Sequence, residues 1–159
     1  MFPRRSKRGS GVSLRDLALF AECSEREARR IAGIGSEVEI EAGRVLTFAG
    51  QPGSQFFVIV SGTASVWREG VRLDVLRAGS FFGELALLDR DPCSATVIAD
   101  TDMRLLVMSR QEFLSPYFLT PSVLEHMLKE LSRRLRRADM GWVPSRPSKP
   151  ERAPVDQNS

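Results

Sequence analysis

Glu84 stands directly after Gly83 and ahead of an apolar run, in Ala78-Gly79-Ser80-Phe81-Phe82-Gly83-Glu84-Leu85-Ala86-Leu87-Leu88. A glycine at that point lets backbone come close to a ligand. The turn from Glu84 to Leu88 has good helix formers, so a short helix is predicted to begin there. Free N–H groups in its first turn, around Leu85 and Ala86, suit a phosphate. The Glu84 carboxylate has two readings: it accepts hydrogen bonds from a vicinal hydroxyl, or it caps donors of its own loop. A few residues on, Pro92-Cys93-Ser94-Ala95-Thr96 offers a thiol and a hydroxyl. Cys93 reads as a small half-buried filler or as a redox-sensitive thiol, although activation usually needs an adjacent cation. His126 is the one histidine, so a metal site or catalytic triad needing two imidazoles is excluded. No metal and no enzymatic activity are expected.

The elements that must position these residues follow from periodicity. Ser13-Leu14-Arg15-Asp16 starts a helical pattern with Leu14, Leu17, Ala18 and Phe20 on one side. Ser24 and Glu27 form a capping box for a second short helix, which turns Ala28, Ile31 and Ala32 inward and ends near Gly33 or Gly35. From Glu37 the period becomes two, with Val38 and Ile40 alternating with glutamates. Short strands are expected at Val45–Phe48, Phe56–Val60, Thr63–Trp67, Arg72–Leu76, Thr96–Ala99 and Arg104–Met108, punctuated by glycine turns. Strands at that spacing indicate a mainly β chain, an antiparallel jelly-roll barrel with flanking helices. Helical character restarts at Ser109–Phe113, and Pro121 opens a long last helix. Leu124, Leu128, Leu131 and Leu135 lie along it at spacings of 4, 3 and 4. Such a seam covers the barrel, pairs with a second copy, or does both.

Composition bounds the rest. The 159 residues are 42% hydrophobic and 27% charged, the profile of one packed domain with some tail. No run is long enough for a membrane span, and no secretory signal is seen. Two cysteines make no disulfide scaffold, which points to a reducing, cytoplasmic setting. The net charge of +3 conceals an acidic body between basic ends. Arg4, Arg5, Lys7 and Arg8 crowd residues 1–12, read as a disordered arm. Residues 141–159, rich in Pro, Ser and Arg, are read as a disordered tail, which leaves 13–140 as the domain. Basic ends of this kind touch nucleic acid or anionic membrane non-specifically, or are simply solvated.

Three stretches together resemble the cyclic-nucleotide-binding domain of protein kinase A regulatory subunits, catabolite activator protein and cyclic-nucleotide-gated channels. They are Gly53-Ser-Gln-Phe-Phe-Val-Ile-Val-Ser-Gly62, Gly79-Ser-Phe-Phe-Gly-Glu-Leu-Ala-Leu-Leu88 and Pro92-Cys-Ser-Ala-Thr-Val-Ile-Ala99. The resemblance runs from about Leu14 to about Asp139. It implies a β-roll with two N-terminal helices and a hinged C-terminal helix. It further implies a ligand site at Phe82, Gly83, Glu84, Leu85, Ala86, Cys93, Ser94, Ala95 and Arg134, with cAMP or cGMP as ligand. Glu84 would receive the ribose 2′-hydroxyl, and N–H groups near Leu85 and Ala86 the cyclic phosphate. Arg134 and Ala138 fall where bacterial members approach the base.

One position departs from the pattern. Family members carry an arginine where this chain has Cys93. A hydrogen bond to a charged group is worth roughly 1.5–3 kcal/mol, and the arginine fork makes more than one. Its loss therefore implies affinity weakened roughly ten- to several-hundred-fold. Cys93 in that light also reads as selecting a ligand other than cAMP, an uncharged one included. Arg90 in the same loop is a substitute cation or a solvated loop tip, and Asp89 and Asp91 add mild repulsion. The expected function is a stand-alone regulatory or sensor domain that signals through its C-terminal helix to an unknown protein partner, as a homodimer, without sequence-specific DNA binding. The alternative is a ligand-independent dimerisation or partner-docking module. A weaker third reading is a non-specific nucleic-acid or membrane binder acting through the basic ends.

Overall fold

The computed structural model describes residues 13–141; the expected arm 1–12 and the tail from 142 lie outside the described residues. Gly141, placed in the tail by the sequence reading, is the last residue of a helix. Eight strands form two four-stranded antiparallel sheets. They are β1 (Ser36–Ile40), β2 (Val45–Thr47), β3 (Gln55–Ser61), β4 (Ala64–Arg68), β5 (Val71–Leu76), β6 (Phe81–Phe82), β7 (Thr96–Ala99) and β8 (Met103–Ser109). One sheet has the order β1-β8-β3-β6 and the other β2-β7-β4-β5. Helices α1 (Glu25–Ile34), α2 (Glu84–Asp89), α3 (Arg110–Phe113) and α4 (Pro121–Gly141) complete the fold. This is the mainly antiparallel β architecture with flanking helices expected from the strand spacing, and it matches the β-roll that the resemblance implies. Among the described residues no helix is long and apolar enough to cross a membrane.

The first sheet is buried on both faces, which is why β3 reads as an unbroken apolar run. Phe56, Val58 and Val60 face the helices, where they join Phe20, Ile31, Phe113, Phe118, Val123 and Met127. Phe57 and Ile59 face the barrel interior with Val38, Ile40, Leu76, Val97 and Leu105. Period two thus divides one strand between two cores. Phe56 is the hub of the helical layer, with ring centroids 4.6 Å from Phe113 and 5.5 Å from Phe118.

Three details depart from the sequence expectation. The first helix is instead two 3₁₀ turns, Leu14–Asp16 and Ala18–Phe20, separated by an extended Leu17. That break lets Leu17, Leu19 and Phe20 all reach the core while Ala18 faces out. In α1 the Ser24–Glu27 capping box is present, with Glu27 N–H donating to Ser24 Oγ at 3.1 Å. Ala28 and Ile31 are buried there, but Ala32 is exposed. Strand β6 was not expected: at two residues it is too short for a periodic signal, yet it pairs Phe82 with Phe57 and Phe81 with Val58.

Helix α4 carries two adjacent stripes. Val123 and Met127 are buried against the helical layer, with Leu131 partly buried behind them. Leu124, Leu128 and Leu135 are 41%, 64% and 64% exposed. At 100° per residue Leu131 lies at the boundary between the stripes. The leucine seam is therefore split: Leu124 and Leu128 point away from the domain, while Leu131 packs on its core.

Candidate functional site

A cavity of about 810 Å³ opens between the second sheet, the segment from β6 to α2 and the last turns of α4. Phe82, Gly83, Glu84, Leu85, Ala86, Cys93, Ser94, Ala95 and Arg134, the nine residues expected at a ligand site, all line it. Ala138 lies on the same wall.

The chain is brought to this point by backbone constraint. Phe82 stacks on Phe57, with centroids 4.7 Å apart and planes 12° from parallel, and so fixes the strand that leads in. Gly83 then takes φ 90°, a left-handed conformation. A Cβ there would lie 2.5 Å from the Gln55 carbonyl oxygen, so both conformation and space demand glycine. The sharp turn at Gly83 starts α2 and puts Glu84 into the wall, where it is 3% exposed.

Burial pushes the Glu84 carboxyl above its ordinary range, while Arg134 and the residue's own backbone N–H pull it back. Arg134 reaches across from α4, its Nη1 3.4 Å from Glu84 Oε1. Its Nη2 donates to the Phe81 carbonyl at 2.6 Å, and its guanidinium lies 4.5 Å from the Phe81 ring centroid. Glu84 Oε2 is buried with no hydrogen-bond partner among the described residues. A buried carboxylate oxygen left in this way costs about 1–3 kcal/mol or more, and a hydroxyl donor entering the cavity would satisfy it. Of the two readings of Glu84, a cap for its own loop accounts for only part of the carboxylate.

Cys93 is held by its backbone: its N–H donates to Gln51 O at 2.8 Å and its carbonyl accepts from Gly50 N–H at 2.9 Å. Its side chain lies close to Gly53, where an added Cβ would come 3.0 Å from Sγ and 2.6 Å from Ala86 Cβ. Burial pushes the Cys93 thiol up, the opposite of what an activated thiolate needs. Arg90 ends α2 in a left-handed conformation, is exposed, and is not part of the cavity wall.

Sequence reasoning missed the β4–β5 contribution. Val66, Arg68, Arg72, Leu73, Asp74 and Leu76 line the cavity from that hairpin. Alternation at Val66 and Arg68 and at Asp74 and Leu76 was the available signal, and the extra residue Leu73 breaks it before Arg72. At the far wall Arg137 Nη2 stands 3.7 Å from Asp74 Oδ2 and 3.5 Å from Glu130 Oε1. Burial pushes the Glu130 carboxyl up, but Arg133, Arg134 and Arg137 outweigh it and hold it below its usual range. Among the described residues no cluster of His, Cys, Asp or Glu could hold a metal ion.

Residues 37–116 match the family model of the cyclic nucleotide-binding domain. The chain is 31% identical over 134 residues to a cAMP-dependent protein kinase regulatory subunit of Aspergillus fumigatus, covering 83% of this chain and 30% of that protein. It is 35% identical over 127 residues to glutaminase 2 of Bradyrhizobium diazoefficiens, covering 79% of this chain and 20% of the enzyme. The chain thus spans less than a third of either curated relative. Among solved structures, catabolite activator protein of Thermus thermophilus superposes with a TM-score of 0.69 at 28% identity, over 78% of this chain and 61% of that one. The family model spans half of the chain and the two-sheet roll is shared with a solved structure, and this chain belongs to the cyclic-nucleotide-binding domain family.

Proposed function

We propose that this unit is a regulatory ligand-binding domain that takes a cyclic nucleotide, cAMP or cGMP, in the cavity at Glu84 and signals through α4. The observation that carries this reading is Glu84 Oε2, buried and without a hydrogen-bond partner among the described residues, in the wall of a nucleotide-sized cavity. A ribose 2′-hydroxyl is the donor of the right kind. Leu85 and Ala86 offer backbone N–H groups beside it, and Ser94 offers a hydroxyl. No histidine lines the cavity and the Cys93 thiol is pushed towards its neutral form, which favours binding without chemistry.

The same contacts suggest how binding is transmitted. Arg134 ties α4 to Glu84 and to the Phe81 carbonyl. A ligand that engages Glu84 competes for or reshapes this tie, and the last turns of α4 move with Arg134. The whole effect is limited to the difference in affinity of the ligand for the two positions of α4.

Thermal unfolding under rising cAMP or cGMP tests the reading. Ligand at a hundred times its dissociation constant stabilises the fold by about 2.7 kcal/mol. An increase in melting temperature that saturates with either nucleotide is the expected result. No shift with either at millimolar concentration sinks it. The ligand-independent docking module, which the exposed Leu124, Leu128 and Leu135 favour, then takes its place.

A further inference from the structure

We propose that the ligand's phosphate is met from the β4–β5 hairpin, by Arg68 together with Arg72, in the role that Cys93 cannot fill. This assignment rests on the reading of the cavity as a cyclic-nucleotide site and adds which side chains face the anion.

The hairpin brings both arginines to the cavity. Arg68 pairs with Val71 across the two-residue turn Glu69-Gly70, whose φ values of 51° and 76° are of the kind a tight hairpin requires. Trp67 stands opposite Arg72, after a register shift between Val66 and Trp67. Alternation puts Val66 and Arg68 on one face of β4 with Asp74 and Leu76 on the matching face of β5, and the extra residue Leu73 breaks that alternation before Arg72. All six line the cavity. Arg68 Nε donates to the Ser94 carbonyl at 2.9 Å, so its guanidinium is docked on the residue next to Cys93. That bond uses one of the five N–H donors of a planar fork suited to phosphate oxygens.

The charge balance of the wall points the same way. Four arginines, Arg68, Arg72, Arg134 and Arg137, and two acids, Asp74 and Glu84, line the cavity. Arg134 pairs with Glu84 and Glu130, and Arg137 with Asp74 and Glu130. Neither Arg68 nor Arg72 joins an ion pair among the described residues. The positive excess of the wall is therefore concentrated at the hairpin end, beside the neutral Cys93 thiol. The ligand this arrangement fits carries a hydroxyl for Glu84 and an anionic phosphate for Arg68.

Calorimetric titration of the full chain with cAMP and with adenosine, which keeps the base and the 2′-hydroxyl but lacks the phosphate, separates the possibilities. Arg68→Ala is expected to weaken cAMP binding by about tenfold, a figure that allows for the exposure of Arg68. It leaves adenosine binding unchanged and reduces the salt dependence of cAMP binding. Adding Cys93→Arg to Arg68→Ala restores cAMP affinity, because a guanidinium then reaches the phosphate from the other side. This rescue decides the matter where adenosine binds too weakly to measure. The assignment is overturned if Arg68→Ala binds cAMP within twofold of the parent, if it loses cAMP and adenosine alike, or if Cys93→Arg gives no recovery. Absence of cAMP binding by the parent protein overturns the reading of the cavity as well, and that outcome is distinct from the other three.

Discussion

Glu84 is an ionisable group placed where ionisation is costly. Burial raises its pKa, with Arg134 only partly opposing the shift. For an acid shifted upwards the sign is fixed: the native state disfavours the charged form, so stability present below the ordinary value of 4.5 is lost as the pH rises above it. Glu84→Gln cannot ionise. At pH 7 the variant without ligand is expected to be more stable than the parent by about 1 kcal/mol, or roughly 2–8 °C in melting temperature. The gain should shrink towards pH 4, where the parent carboxyl protonates as well. Melting curves across that range check it; a variant less stable at pH 7 would mean that the ion pair with Arg134 outweighs burial. Much of this residue scale was legible beforehand. Gly83 before Glu84 announced a tight turn, and all nine expected residues meet in one cavity. Arg68 and Arg72 were not legible, because an arginine at the end of an edge hairpin looks like ordinary solvated charge until the bulge at Leu73 in β5 and the Arg68 bond to the Ser94 carbonyl bring the pair to the cavity.

At the scale of elements, α4 divides one periodic signal between two surfaces. The 4-3-4 leucine spacing is real, but Val123 and Met127, one stripe round, do the packing, and of the seam only Leu131 joins them. The leucines were the more conspicuous only because Val123 and Met127 are followed by Arg134, a polar residue that continues the buried stripe into the cavity. The leading 3₁₀ turns escaped for a similar reason: an apolar cluster at Leu14, Leu17 and Phe20 matches a helix until Leu17 extends. Three large apolar side chains remain exposed on one face of α4, bordered by the Glu125–Lys129 pair at 2.8 Å. We propose that this face pairs two copies. Light scattering at tens of micromolar should show a dimer, and Leu128→Asp should give a monomer with an almost unchanged melting temperature, since residue 128 is 64% exposed. A monomeric parent protein rejects the pairing.

For the whole molecule, the two cores have different tasks. The barrel core fixes the sheet that carries Val66, Arg68, Arg72 and Asp74, while the helical core holds the base of α4 through Val123 and Met127. Between them the cavity is closed on one side by a rigid sheet and on the other by the distal turns of a helix held there chiefly by ion pairs. Such a design lets a small ligand act on a large lever, because the contacts it changes are those that seat the helix end. The account stands or falls on Glu84 as the ligand's anchor. Calorimetric titration of cAMP into the parent and into Glu84→Gln, side by side at pH 7, tests this most directly. The account predicts saturable binding by the parent and a loss of about tenfold or more in the variant, in a protein that is folded and at least as stable. Equal affinity of the two proteins for cAMP would contradict it.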